Sequence, residues 1–228
     1  MTNSVVIAID GTAACGKGTL ARRLARHYGF AHLDSGALYR LVALGVIEAM
    51  RDPSNEADAL RAAGAIDLTR AGDPKIRSDV VGQASSKVAA IPAVRAALLQ
   101  FQRDFARTPP GNSLGAVIDG RDIGTVIAPD APAKLFVDAR PDVRARRRQM
   151  ELEGMGISRS EADLVAELTA RDAADKSRPV SPLKQAPDAD LLDTSDLGID
   201  AAFAAALALV SPKVAKVLQS ALKDRHRG

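Results

Sequence analysis

The chain has 228 residues, 46% of them apolar and 26% charged, with a net charge of +3, no tryptophan and one cysteine. That length can bury a substantial core, and the charge is too small to argue for nucleic acid by itself, although converging arginines would suit an anionic ligand. Cys15 alone excludes an intramolecular disulfide; no signal peptide and no uncharged apolar run near the ~20 residues of a membrane span is visible, so a cytoplasmic chain is expected.

VVIAI (Val5 to Ile9) is short, β-branched and stopped by Asp10-Gly11, which predicts a buried parallel strand. From Gly18 the pattern becomes helical, with Leu20, Leu24 and Tyr28 on one face, Arg22, Arg23 and Arg26 outside it, and Gly29 as the stop. Between them lies GTAACGKGT. Gly11, Gly16 and Lys17 match the phosphate-binding loop G-x-x-x-x-G-K-[ST], but Gly18 follows the lysine and Thr19 comes one later. A strand, a Gly-rich loop and a helix in this order supply what phosphate oxygens need: convergent backbone N–H groups and a helix N-terminus. The loop residues Gly11, Thr12, Ala13, Ala14, Cys15, Gly16, Lys17, Gly18 and Thr19 are therefore the candidate nucleotide-phosphate site. Lys17 provides a mobile charge for the β- and γ-phosphates. Cys15 is either a reactive thiol in this nest or a buried, inert small residue.

Further along, LYRLVALGVIEAM and VRAALLQFQRDFA read as helices on either side of the polar stretch DLTRAGDPKIRSD, so residues 40–110 are expected to form an inserted subdomain. AVID (Ala116 to Asp119), KLFVDA (Lys134 to Ala139) and DLLDT (Asp190 to Thr194) read as further buried strands alternating with helices, which argues for a parallel sheet covered on both faces. VRARRRQM (Val143 to Met150) reads as the solvated face of a helix rather than a nucleic-acid patch. The segment 155–182 is polar, rich in Arg and Asp, and reads as a lid. The last apolar stretch reads as a helix broken at Ser211-Pro212. The organisation expected is a core of residues 1–39, 111–154 and 183–228, the insert and the lid.

Four stretches stand beside the loop: LDSGALYR (Leu33 to Arg40), SKVAAIPAVR (Ser86 to Arg95), IDGRDIGTVIAPDAPAKLFVDA (Ile118 to Ala139) and ARDAADKSRPVSPLKQAPDADLLDTSDL (Ala170 to Leu197). With GKGT, in this order and at these distances, they resemble the bacterial cytidylate kinases over nearly the whole chain. The resemblance implies an adenylate-kinase-like α/β fold with a parallel sheet, an inserted acceptor-binding subdomain and a short lid. It implies phosphoryl transfer from ATP, with Mg²⁺, to CMP or dCMP in pyrimidine metabolism, and G-K-G-T is then a loop ending of nucleoside monophosphate kinases rather than a broken one. By the same resemblance Ser35, Arg40, Arg121 and Arg178 hold the acceptor phosphate, Arg171 and Asp175 lie near the sugar, and Ser86, Arg95 and Asp122 recognise cytosine. Lys17, Arg121, Arg171 and Arg178 are the residues expected to neutralise the transferring group.

Chemistry agrees with those roles. Arginine binds phosphate bidentately, and Asp122 could accept from the cytosine N4 amino group while Arg95 and Ser86 donate to O2 or N3. The acceptor is already an ionised phosphate, so positioning and charge neutralisation suffice without a catalytic base. Thr19, Asp34 and Asp119 are candidates for Mg²⁺ contact, direct or through water, although Asp34 equally suits a helix N-cap. Arg147 is a further candidate for the ATP phosphates. The stretch between Ala65 and Val80 is short beside many of the family, whose subdomain holds a small antiparallel sheet there, and Ala174 and Lys176 stand where the family often has Arg. The alternatives are a P-loop kinase with another acceptor, which leaves Ser86, Arg95 and Asp122 unexplained, and a nucleotide switch, which would want an N-K-x-D motif that this chain lacks. A monomer is expected.

Overall fold

A computed structural model describes residues 4–225. The chain divides into two compact units, one built from the residues up to Leu33 together with those from Ala106 onward, the other from Asp34–Phe105.

In the first unit β1 (Val5–Gly11) is the centre of a five-stranded sheet, flanked by β3 (Gly115–Gly120) and β4 (Ala133–Asp138), with β2 (Ala31–Asp34) outside β3 and β5 (Asp190–Asp193) outside β4. β1 runs parallel to β3 and β4, and β4 runs parallel to β5. Every residue of β1 and β3 is buried, as uninterrupted apolar runs demand when helices cover both faces. β2 was not anticipated: with four residues and a histidine among them it offers no apolar run to recognise.

Alternate residues Val5, Ile7 and Ile9 share a core with Val117, Leu135, Val137 and Leu192 of the neighbouring strands. Onto that face pack Leu20, Ala21 and Leu24 of α1 (Lys17–Tyr28) and Ala202, Ala206, Val210 and Val214 of α8 (Ile199–Arg225). Gly29 ends α1 with φ 65°, the left-handed turn that favours glycine, and its N–H reaches back to the last helical carbonyls. α8 corrects the expected break, because it runs through Pro212 without interruption. Buried side chains on both sides of the proline hold the helix on the sheet, and the Ser211 hydroxyl meets the Tyr28 hydroxyl at 2.8 Å beside it. By length and composition Ile199–Ser220 is also apolar enough to cross a membrane, although Asp200, Lys213 and Lys216 lie within it and its packed stripe lies in the core. On another side Leu152 of α6 (Pro141–Glu153) and Leu164 and Leu168 of α7 (Glu161–Ser177) form a smaller cluster with Ala13 and Ala145.

The second unit is helical. α2 (Ser35–Glu48) is buried on most of its circumference by α3 (Glu56–Gly64), α4 (Asp79–Ala90) and two short 3-10 turns, Leu68–Gly72 and Pro74–Arg77. Gly45 of α2 faces α3, where a Cβ would make ordinary contact with the Ala62 Cβ at 3.5 Å. Asp34, Asn55 and Ser78 cap α2, α3 and α4 through side-chain oxygens that accept N–H groups of the first turn. α5 (Pro92–Arg107) closes the region. The described residues from 35 to 105 contain no strand; Asp67 and Asp73, turn residues that accept the N–H two positions on, keep the short stretch as 3-10 turns.

Pro212 costs α8 one helical hydrogen bond. Pro212→Ala is expected to raise the unfolding free energy by about 1 kcal/mol, read as a later midpoint in urea with an unchanged slope.

Candidate active site

The loop from Gly11 to Gly16 takes its shape from three backbone facts. A Cβ on Gly11 would come within 2.0 Å of the Val137 carbonyl oxygen, so only glycine lets β1 pass β4 at that point. Gly16 sits at φ 92° at the start of α1, and Ala14 adopts φ 58°, unusual for a residue with a Cβ. The carbonyls of Thr12, Ala13 and Cys15 each meet a side-chain donor. Lys17 Nζ donates to Thr12 O at 2.9 Å, Arg144 Nη1 to Ala13 O at 3.1 Å, and both Arg147 Nη1 (3.3 Å) and the Thr194 hydroxyl (3.0 Å) donate to Cys15 O. The Thr12 hydroxyl donates to Asp138 at the end of β4 at 2.6 Å. Cys15 is fully buried within the sheet core, the environment of an inert packing thiol. Arg147 is spent on backbone carbonyls of Cys15, Thr194 and Leu197, so its guanidinium acts on the loop's frame.

Asp10, the last carboxylate of β1 before Gly11, is buried and accepts two backbone N–H groups, Ile123 and Gly124, both at 2.8 Å. These belong to the turn after β3 that carries Arg121 and Asp122, and the following residues Ile123–Ile127 wind into a single π-turn. Burial, against the pull of the two N–H groups and Lys17 and with a push from the Asp122 charge, raises the Asp10 carboxyl to about 7.

Asp119, buried in β3, bonds His32 Nε2 of β2 at 2.9 Å. Its Oδ2 would lie 3.6 Å from a Cβ on Gly18. Arg22 Nη1 would lie at the same 3.6 Å, so this carboxylate and an arginine both stand at the first turn of α1, next to Thr19. A hydroxyl and a carboxylate are the hard oxygen donors that suit Mg²⁺, an ion that keeps most of its waters. Among the described residues no group of three or more His, Cys, Asp or Glu side chains is placed to hold a metal. Asp34 Oδ1 accepts from Ala37 N at 3.0 Å as the cap of α2.

In the same unit Arg121 Nε donates to Asp175 Oδ2 at 2.7 Å, and Arg178 Nη2 stands 3.5 Å from Asp175 Oδ1. Burial works against the Arg121 charge, but Asp175 outweighs it and holds the guanidinium above its ordinary pKa. Burial likewise favours a neutral Asp175, and the charges of Arg121, Arg178 and Arg171 overcome it, so this carboxyl stays below its ordinary value. The structure thus brings Arg121, Arg171, Asp175 and Arg178 into one electrostatic cluster, with Asp122 buried in the adjoining turn.

Within the helical unit Ser35 is buried, and Arg40 Nη1 donates to Ile76 O at 2.8 Å. Arg95 is buried, donates to Ala89 O at 3.4 Å and lies 5.4 Å from the centre of the Tyr39 ring, a cation–π contact. Ser86 Oγ reaches Gly82 O only at 3.5 Å.

Sequence reasoning missed Asp10, Asp138, Arg144, Asp172, Thr194, His32 and Tyr39. One signal was available: an apolar strand run ended by Asp recurs at Asp10, Asp119 and Asp138, and these strand ends line the carboxyl edge of the parallel sheet, where ligands bind.

A family model described as cytidylate kinase matches residues 7–211. A cytidylate kinase of Rhodopseudomonas palustris (strain TIE-1) is 52% identical over 206 residues, which cover 90% of this chain and 95% of that protein. One of Bradyrhizobium diazoefficiens is 51% identical with the same coverage. Among solved structures, TT1252 from Thermus thermophilus covers 90% of this chain and 97% of its own, at 20% identity and a TM-score of 0.43.

The buried Asp10 makes stability pH-dependent in an uncommon direction. The folded protein keeps on this carboxyl a proton that the unfolded chain, at 3.8, releases, so its contribution is largest at low pH and is lost as pH rises from 3.8 to about 7. Urea unfolding between about pH 5 and 8 is expected to show this decline in the wild type and a flatter profile in Asp10→Asn. Cys15 is expected to resist thiol reagents in the native protein and to react at the free-thiol rate once urea unfolds it.

Proposed function

The chain belongs to the cytidylate kinase family and transfers a phosphoryl group from ATP to CMP or dCMP, and we propose that the loop from Gly11 to Thr19 holds the ATP while an arginine cluster around Asp175 receives the transferring group. The observation that carries this division of labour is the Arg121–Asp175–Arg178 cluster, in which two guanidinium groups meet one carboxylate that the charge of Arg171 also acts on. Converging guanidinium groups suit phosphate oxygens, and a phosphoryl transfer that needs no base is limited by positioning and charge.

In this reading backbone N–H groups of the loop hold the ATP phosphates. Lys17 moves from the Thr12 carbonyl to the β- and γ-phosphates as nucleotide arrives. Arg121 and Arg178 bind the acceptor phosphate, and Arg171 and Asp175 lie at its sugar. The helical unit contributes Ser35 and Arg40 toward phosphate and Ser86 and Arg95 toward cytosine. Asp122 accepts from the N4 amino group; uracil carries a carbonyl there and would face a buried carboxylate with no proton to donate. Residues 155–182 act as the lid. Thr19 and Asp119 would hold Mg²⁺, which when bound neutralises phosphate charge. We further propose a cytoplasmic monomer.

ADP formation from Mg-ATP is expected with CMP and dCMP and only weakly with UMP or AMP; turnover confined to another acceptor would overturn the base-reading assignments while leaving the loop. Asp122→Asn is expected to lower the CMP-to-UMP ratio of kcat/KM by at least about tenfold, and an unchanged ratio would remove Asp122 from base recognition. Lys17→Ala is expected to lower kcat by about a hundredfold or more with the fold intact by circular dichroism.

A further inference from the structure

Two ion pairs hang from one face of α7. Asp175 holds Arg121, and one turn earlier Asp172 holds Arg144 of α6. The second pair is more deeply buried, Arg144 at 4% exposure and Asp172 at 5%, and the roles assigned so far do not use it. Arg144 Nη1 lies 2.5 Å from Asp172 Oδ2 and 3.1 Å from Ala13 O, while Arg144 Nε donates to Ala139 O at 2.8 Å. Asp172 Oδ1 accepts from Ala13 N at 3.2 Å. A single ion pair therefore grips both the N–H and the C=O of one residue in the phosphate loop, next to Ala14 at φ 58°.

Burial of two charges is costly, and apolar side chains of similar size often fill such a place as well or better. The neighbours are apolar: Leu152, Leu164, Leu168 and Ala145 cluster with Ala13. Packing alone would therefore not call for a charge here. Positioning does. A carboxylate against the phosphate loop would repel polyphosphate unless its charge were cancelled, and Arg144 cancels it while turning the Ala13 carbonyl outward.

We propose that Arg144 and Asp172 are positioning residues for phosphoryl transfer. They set the two peptides that meet at Ala13, and through them the array of N–H groups that meets ATP. Asp172 also fixes to that loop the helix that carries Arg171, Asp175 and Arg178. The inference rests on the loop being the ATP site.

The test compares the wild type with Asp172→Asn, Arg144→Lys and the double variant Arg144→Met/Asp172→Leu. Three readouts are used: KM for ATP and for CMP with kcat, affinity for a fluorescent ATP analogue, and the urea midpoint. The double variant keeps volume and removes both charges, so its midpoint is expected near that of the wild type. Its KM for ATP and its dissociation constant for the analogue are expected to rise about tenfold and kcat to fall about tenfold to a hundredfold, with KM for CMP within about threefold. Asp172→Asn is expected to move the same constants in the same direction. Arg144→Lys, which keeps a charge opposite Asp172 but cannot span Ala13 O and Ala139 O together, is expected to fall between. A folded double variant with wild-type ATP affinity and kcat would overturn the proposal, as would a kcat loss that merely tracks the unfolded fraction with both KM values unchanged. If the double variant does not fold, Arg144→Lys decides: a raised KM for ATP supports positioning, an unchanged one overturns it. A wild type inactive on CMP would sink the functional reading instead, and analogue binding would still test the pair.

Discussion

A phosphate nest works only if its peptide N–H groups turn inward, and each peptide that turns its N–H inward turns a carbonyl outward. In this protein the carbonyls of Ala13 and Cys15 meet donors from Arg144, Arg147 and Thr194, and the Thr12 carbonyl, whose peptide N–H goes to Asp172, meets Lys17. Buried carbonyls left without donors would cost the loop its shape. The donors come from α1, α6 and the end of β5, so the loop's conformation depends on elements that meet it only when the sheet is assembled. The strained Ala14 survives for the same reason: the surroundings over-determine it.

The sheet supplies the rest of the frame through its strand ends. Asp10, Asp119 and Asp138 each end, or nearly end, an apolar strand, and each takes a different partner. Asp10 binds two N–H groups of the turn that carries Arg121 and Asp122. Asp119 binds His32 and lies by Gly18, and Asp138 receives the Thr12 hydroxyl. The donor loop and the turn of DGRDIGT are thus held by adjacent residues of β1, Gly11 and Asp10. Gly11 is needed for close approach to β4, and Asp10 accepts the cost of burying a carboxylate in order to dock the turn.

The helical unit follows a different economy. It lacks strands between residues 35 and 105 and relies on caps and a buried α2. Arg95, held on Tyr39, and Arg40, held on the Ile76 carbonyl, are arginines whose direction is set by their own unit before any ligand arrives. A side chain whose direction is already set loses less freedom when a ligand binds.

The sequence by itself determined what is local: the strand, loop and helix from Val5 to Tyr28, the Gly29 stop, the strands of AVID, KLFVDA and DLLDT, and the helical character of the insert, although DLLDT, read as buried, is an outer strand with Leu192 buried and Leu191 exposed. Period, turn residues and glycine spacing carry those features over a few residues. The family was legible too, because GKGT and DGRDIGT are distinctive strings. Tertiary structure decided what no local window contains. Arg144 finds Asp172 28 positions away and the Ala13 carbonyl 131 positions away, and Asp10 finds Gly124 114 positions away. Arg144 stood in an arginine run that read as a solvated face, since charge alone does not reveal which member turns inward. Pro212 read as a break because local rules count its lost hydrogen bond but not the core that holds α8 straight across it. β2 stayed hidden because an outer strand with few apolar residues is defined by its neighbour in the sheet rather than by its own composition.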